Sequence, residues 1–167
     1  MQHRMLAVAA LATIAAAAPL AAAQGATTSK AKVTQGVFYG GVTAAGYPVV
    51  IQLSKTGKKV VKATIGLELT CTTPGDVTLP DTFKNLPISS TGKFSYTYGP
   101  EEVVGDPATG VSKVQVSGSI TGKVNQAKTR VNGTWNQKIV AFSAADPTGA
   151  TILDTCDSGV VSYTAKQ

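Results

Sequence analysis

The eleven residues VKATIGLELTC, from Val61 to Cys71, alternate between apolar and polar side chains without a break. Every second position, beginning with Val61 and ending with Cys71, is apolar, and lysine, threonine, glycine and glutamate fill the positions between them. A period of two places successive side chains on opposite faces of a β-strand. The stretch therefore predicts a strand with one buried face and one wet face, and it places Cys71 on the buried face.

The same period recurs along the rest of the chain, in PVVIQLSK, GKFSYTY, SKVQVSGSITGKV and GVVSYTAK. Turn-forming segments such as AAGYP, KTGKK, SSTGK and ADPTG separate these runs. After the N-terminal region no long helical period occurs. The pattern predicts one all-β domain over 33–167, an antiparallel, jelly-roll-like β-sandwich of eight or nine strands. A polar, flexible lead-in is expected over 24–32.

The N-terminus has the layout of a secretory signal peptide. Arg4 forms a short basic region, an apolar run of fourteen residues follows from Met5 to Ala18, and Ala21 to Ala23 form a small-residue cleavage site. A membrane anchor would need about twenty apolar residues. The sequence predicts cleavage after 1–23, a secreted mature chain and no integral membrane segment in it.

Cys71 and Cys156 are the only two cysteines of the chain. An even pair in an exported domain is most simply interpreted as a disulfide bond, because the compartment is oxidising. Two buried free thiols are the alternative. A bridge would connect the last strands to the middle of the domain.

Two longer segments, residues 36–71 and the closing CDSGVVSYTAK, resemble a set of uncharacterised small exported proteins from actinobacteria. Those proteins open with G-x-Y-x-G-x-T-x-x-G-x-P-V, continue into a strand that ends in cysteine, and close with C-x-S-G and a strand. The resemblance covers most of 36–166, and it departs at GVFYGGV and at Tyr163, where the family more often has tryptophan. It implies secretion, a β fold and pairing of Cys71 with Cys156, and it implies no catalytic residues.

Histidine-dependent catalysis is excluded for the mature chain, because the single histidine, His3, leaves with the signal peptide. No G-x-S-x-G motif occurs, and no spacing singles out a Ser-Lys dyad. Two thiols without histidine supply too few ligands for tetrahedral zinc. The sequence therefore predicts no metal centre, no cofactor and no catalytic motif.

Carboxylates are the remaining candidates for chemistry, because glycoside hydrolysis needs only two of them. Glu68 is the first candidate, since it lies on the polar face of a predicted strand. It supports an alternative function as a carbohydrate-active enzyme, a glycoside hydrolase or a lyase-like protein, although a solvated glutamate is the simpler interpretation. The segments EEVVGD and DTCDSG could each give calcium two ligands, but Asp154 and Asp157 of the second are expected to cap the turn around Cys156. The other acids considered are Glu101, Glu102, Asp106 and Asp146.

Lysines cluster around one predicted hairpin, SKTGKKVVK, which contains Lys55, Lys58, Lys59 and Lys62. Cleavage would remove Arg4, one of 15 basic residues, and leave 14 against nine acidic ones, a net charge of about +5. This cluster could contact a polyanion, although solubility alone would also explain it. Nucleic acid is disfavoured as a partner, because Arg130 is the single arginine that remains. The resulting prediction is a secreted, non-catalytic module that binds a cell-envelope polymer or a protein partner.

Overall fold

The computed structural model of the chain describes residues 36–167, and the predicted signal peptide at 1–23 and lead-in at 24–32 lie outside the described residues. Nine β-strands and one short 3₁₀ turn form this region, which confirms the all-β class and the expected number of strands. Within it, no helix is long and apolar enough to span a membrane. The elements are β1 (Val37–Thr43), β2 (Pro48–Leu53), β3 (Lys59–Cys71), β4 (Asp76–Pro87), β5 (Lys93–Val104), the 3₁₀ turn (Pro107–Thr109), β6 (Val111–Val124), β7 (Arg130–Ser143), β8 (Ile152–Asp157) and β9 (Val161–Lys166).

The strands form one antiparallel sheet, in which the order is β4-β3-β2-β1-β9-β7-β6-β5. Strand β8 lies outside this path and pairs with both β3 and β7. The pairing closes six strands, β3-β2-β1-β9-β7-β8, into a ring. Strand β4 extends the sheet from β3, and β6 and β5 extend it from β7.

The structure corrects the expected two-sheet, jelly-roll-like sandwich, because the sheet closes as a six-stranded barrel. Strands β8 and β9 run in the same direction along one edge of β7, where β9 pairs with 130–135 and β8 with 138–142. Beyond the break at 158–160, β9 joins β1, whereas β8 reaches β3. There Cys71 lies opposite Cys156, and the two form the predicted disulfide bond.

The buried face of the sheet forms a single core around Trp135, Tyr39, Phe83 and a layer of aliphatic side chains. In β3 the expected alternation holds from Ala63 to Leu69, whose apolar members are all buried. At its start a bulge opposite Gln52 and Leu53 shifts the register, so Val60 and not Val61 lies in the core. Each such fully buried aliphatic side chain contributes about 1.5–3 kcal/mol of transfer free energy.

Candidate functional site

One end of the molecule is formed by three turns, at 54–58, 88–92 and 125–129, and by the end of β9. Hydrogen bonds connect these turns to their neighbours. The Ile88 amide donates to the Lys58 carbonyl at 2.9 Å, and the Val124 amide donates to the Gly92 carbonyl at 2.9 Å. The Tyr39 hydroxyl donates to the Lys128 carbonyl at 2.7 Å. The turns are therefore held in fixed positions relative to one another.

This end concentrates positive charge, and it is called the basic end below. No acidic residue occurs in the stretches that form it, 36–40, 52–62, 84–93, 123–130 and 164–167. All nine acidic residues lie in the other stretches of the described chain. Of the twelve basic residues in the described chain, ten belong to the basic end: Lys55, Lys58, Lys59, Lys62, Lys84, Lys93, Lys123, Lys128, Arg130 and Lys166.

Three pairs of cations face each other directly across neighbouring strands at the basic end. Lys62 lies opposite Lys84 on β3 and β4, and Lys93 lies opposite Lys123 on β5 and β6. Arg130 and Lys166 form the third pair, on β7 and β9. Side chains directly opposite on antiparallel strands share one face, and like charges in such pairs destabilise a sheet. The fold thus retains a repulsive arrangement that a polyanion would relieve.

The four lysines predicted as polyanion contacts all belong to this end. The hairpin turn predicted for them is confirmed, since the Gly57 amide donates to the Ser54 carbonyl at 2.8 Å. Lys55, Lys58 and Lys59 are exposed at the turn, and Lys62 is exposed on β3. Their contact with a polyanion stays a prediction.

A surface groove of about 810 Å³ opens beside the lysine pair on β5 and β6. Lys93 and Lys123 line it together with Asn132, and Ile88 and Phe94 add apolar surface. The hydroxyl groups of its lining belong to Ser89, Thr91, Ser95 and Thr121. The groove can hold a ligand that combines negative charge with hydroxyl groups.

Glu68, the first candidate for carboxylate chemistry, is half-buried on the outward face of β3 and lines neither this groove nor the second one described below. Its Oε2 atom accepts a hydrogen bond of 2.7 Å from the Tyr47 hydroxyl. That bond is the main cause that raises the pKa of Tyr47 above its usual value. Glu68 therefore fixes the turn that contains Tyr47 onto β3.

The acids proposed as calcium ligands are engaged in local hydrogen bonds. Asp154 accepts from the Thr72 hydroxyl and from the Thr73 and Thr155 amides, and these bonds lower its pKa to about 2, with the Thr72 bond as the largest cause. Asp157 accepts from the Gly159 amide at 2.7 Å. Asp157 thus caps the turn after Cys156 as expected, whereas Asp154 holds the turn that follows Cys71.

Three other acids, at the end of the molecule opposite the basic end, also accept hydrogen bonds. Glu102 accepts from Gln115 at 2.8 Å and from Lys113 at 3.1 Å, and these bonds, that from Gln115 most, lower its pKa. Asp106 accepts from the Ala108 amide, and Asp146 accepts from two amides at 150 and 151. The group Cys71, Asp154 and Cys156 has metal-ligand spacing among the described residues, but both sulfur atoms are in the disulfide.

Comparison of this chain with protein families, with curated proteins and with solved structures gives no match. The resemblance to small exported proteins of actinobacteria therefore stays a prediction.

Proposed function

We propose that this protein is a secreted, non-catalytic module that binds an anionic polymer of the cell envelope through its basic end. The three cation pairs that face each other across strands, in a region without an acidic side chain, are the observation on which this proposal depends. A bound polyanion would add the missing negative charge and remove the repulsion within each pair.

The composition of the basic end favours a polymer that is attracted by its charge and not by bidentate contacts. Nine of its ten cations are lysines, and Arg130 is the exception. Lysine offers a compact point charge on a flexible stem, whereas arginine supplies the planar fork that suits bidentate phosphate recognition.

The disulfide between Cys71 and Cys156 supports export, because such bonds persist in oxidising compartments.

The proposal predicts that replacing Lys58 and Lys59 weakens binding to a polyanion. Each lysine near an anionic surface contributes about 1 kcal/mol, so Lys58→Gln with Lys59→Gln should reduce affinity at low salt roughly 30-fold. Affinity of the purified protein for polygalacturonate and for linear polyphosphate is measured by calorimetry at rising sodium chloride. Wild-type binding should weaken as the Debye length falls from about 30 Å at 0.01 M salt to about 8 Å at 0.15 M.

Lys113→Glu is the matched control, since it changes the net charge by the same two units at the opposite end of the molecule. At 0.15 M salt it should leave both affinities within about twofold of wild type, because surface charges farther from the ligand than the Debye length of about 8 Å are screened. Equal losses in the control and the Lys58/Lys59 variant would show that net charge alone attracts the polymer, and the basic end would lose its assigned role.

A further inference from the structure

The outward faces of β5, β6 and β7 form a surface of uncharged polar side chains, called the neutral platform below. It consists of Ser95, Thr97, Ser119, Thr121, Thr134 and Asn136. These residues point outward because the residues that alternate with them, Phe94, Ile120 and Trp135 among others, are buried in the core. Cross-strand register arranges them in two rows, Ser95–Thr121–Thr134 and Thr97–Ser119–Asn136.

Hydrogen bonds between neighbouring strands fix the side chains of the neutral platform. The hydroxyl oxygens of Thr121 and Thr134 are 2.9 Å apart, and Ser119 donates from its hydroxyl to Asn136 Oδ1 at 2.7 Å. The Ser119 amide donates to the same oxygen at 2.8 Å. Side chains that are already ordered lose little entropy when a ligand binds. The platform is therefore a preorganised array of hydrogen-bonding groups.

Two grooves lie in succession along this platform. The larger one, of about 810 Å³, contains Ser95 and Thr121 together with Lys93 and Lys123 of the basic end. The smaller one, of about 410 Å³, contains Thr97, Ser119 and Asn136 of the platform, and Lys138 and Asp157 also line it. The platform thus continues from the basic end toward the middle of the sheet, in the direction of the strands.

We infer that the polymer bound at the basic end is an acidic polysaccharide whose uncharged sugar hydroxyls lie on the neutral platform. This inference rests on the proposed function. Sugar hydroxyls both donate and accept hydrogen bonds, as do serine, threonine and asparagine side chains. The oxygens of a densely charged chain such as polyphosphate accept hydrogen bonds but donate none, so they complement only the donors of these rows. Single-stranded nucleic acid would need aromatic side chains for base stacking, and the platform contains none.

The test removes hydroxyl groups from the platform without changing charge or shape. Thr121→Val with Thr134→Val should reduce affinity for polygalacturonate roughly fivefold or more, since each lost hydrogen bond to a ligand has a modest net effect. Affinity for linear polyphosphate should stay unchanged. Valine suits an exposed strand position, so the fold should persist. Thr97→Val, in the smaller groove, is a second and independent variant.

Thr64→Val with Thr82→Val is the matched control, because these two threonines form a similar cross-strand pair, 3.2 Å apart, on β3 and β4. It should change neither affinity. If the wild-type protein binds polyphosphate but not polygalacturonate, the polysaccharide inference is overturned and the proposed function stands. The same holds if the platform variants bind polygalacturonate with wild-type affinity. A similar loss for both probes in the platform variants would also overturn the polysaccharide inference. Wild-type protein that binds neither probe would overturn the proposed function itself.

Discussion

Glycines inside the strands make room for aromatic rings in the core. A Cβ atom built at Gly122 would overlap the Phe94 ring, and one built at Gly133 would overlap the Thr121 carbonyl oxygen and lie 2.5 Å from Tyr163 Cζ. The Tyr163 hydroxyl passes over these glycines and donates to the Thr121 carbonyl at 2.8 Å. Glycine at these positions therefore serves packing between β6, β7 and β9.

This packing predicts that Gly133→Ala lowers the free energy of unfolding by about 2 kcal/mol, because overpacking a filled core forces side chains and backbone to shift. Gly40→Ala, in β1, is the control, since a Cβ atom there would meet no atom within 4 Å. It should change stability by less than about 0.5 kcal/mol. Urea denaturation of both variants measures the difference, and equal stabilities would refute this role of Gly133.

At the scale of single residues, the period of two correctly predicts which side chains face inward. Phe94, Tyr98 and Trp135 are buried as expected. Tyr96 is 40% exposed, although the alternation places it on the inward face. It lies on β5, whose second edge faces a gap to β4 and pairs with no described strand. The pattern identifies the face of a residue, but burial also depends on what lies across from that face.

At the scale of elements, β8 is the connection that closes the sheet. Its pairing with β3 is short, since only Thr70 and Cys71 of β3 lie opposite Asp157 and Cys156. The disulfide bond is located within this short pairing. It joins residues that are 85 positions apart, so it also restricts the unfolded chain.

Cys156→Ser should therefore lower the free energy of unfolding by about 2–4 kcal/mol. In the chain-entropy description, a bridge that closes a loop of this length lowers the entropy of the unfolded chain and so stabilises the fold by at most about 4.5 kcal/mol. Thermal unfolding of the variant is compared with that of wild type, with and without a reducing agent. The reductant should destabilise wild type and leave the variant unchanged. A variant that melts at the wild-type temperature would mean that the bond does not stabilise the closed sheet.

The strands could be predicted from the sequence because each one depends on local alternation between turns. The closed sheet could not be predicted, because it depends on which edge β8 meets. Most paired strands follow one another in the chain as hairpins, but the pairing of β3 with β8 joins segments far apart in sequence. A paired Cys71 and Cys156 was the one sequence signal of that contact, and it does not reveal that the two strands pair by backbone hydrogen bonds.

At the scale of the whole molecule, the positive charge collects at one end because every second turn of the chain lies there. Successive hairpins place successive turns at opposite ends, so the turns at 54–58, 88–92 and 125–129 meet, whereas those at 44–47, 72–75 and 105–110 lie at the other end. The sequence prediction found only the first lysine turn. Lys93 directly after the second turn and Lys128 within the third, with no acidic residue beside either, were the available signal once the strands are taken as antiparallel.

The most direct test of the basic end is a titration of the isotope-labelled protein with polygalacturonate, followed through its backbone amide NMR signals. The proposed function predicts saturable shifts concentrated in 54–62, 88–93 and 123–130, which weaken together as salt rises. The turns at 44–47, 105–110 and 144–151 should show no comparable shifts. Shifts centred on those turns, or no saturable shift anywhere, would contradict binding at the basic end.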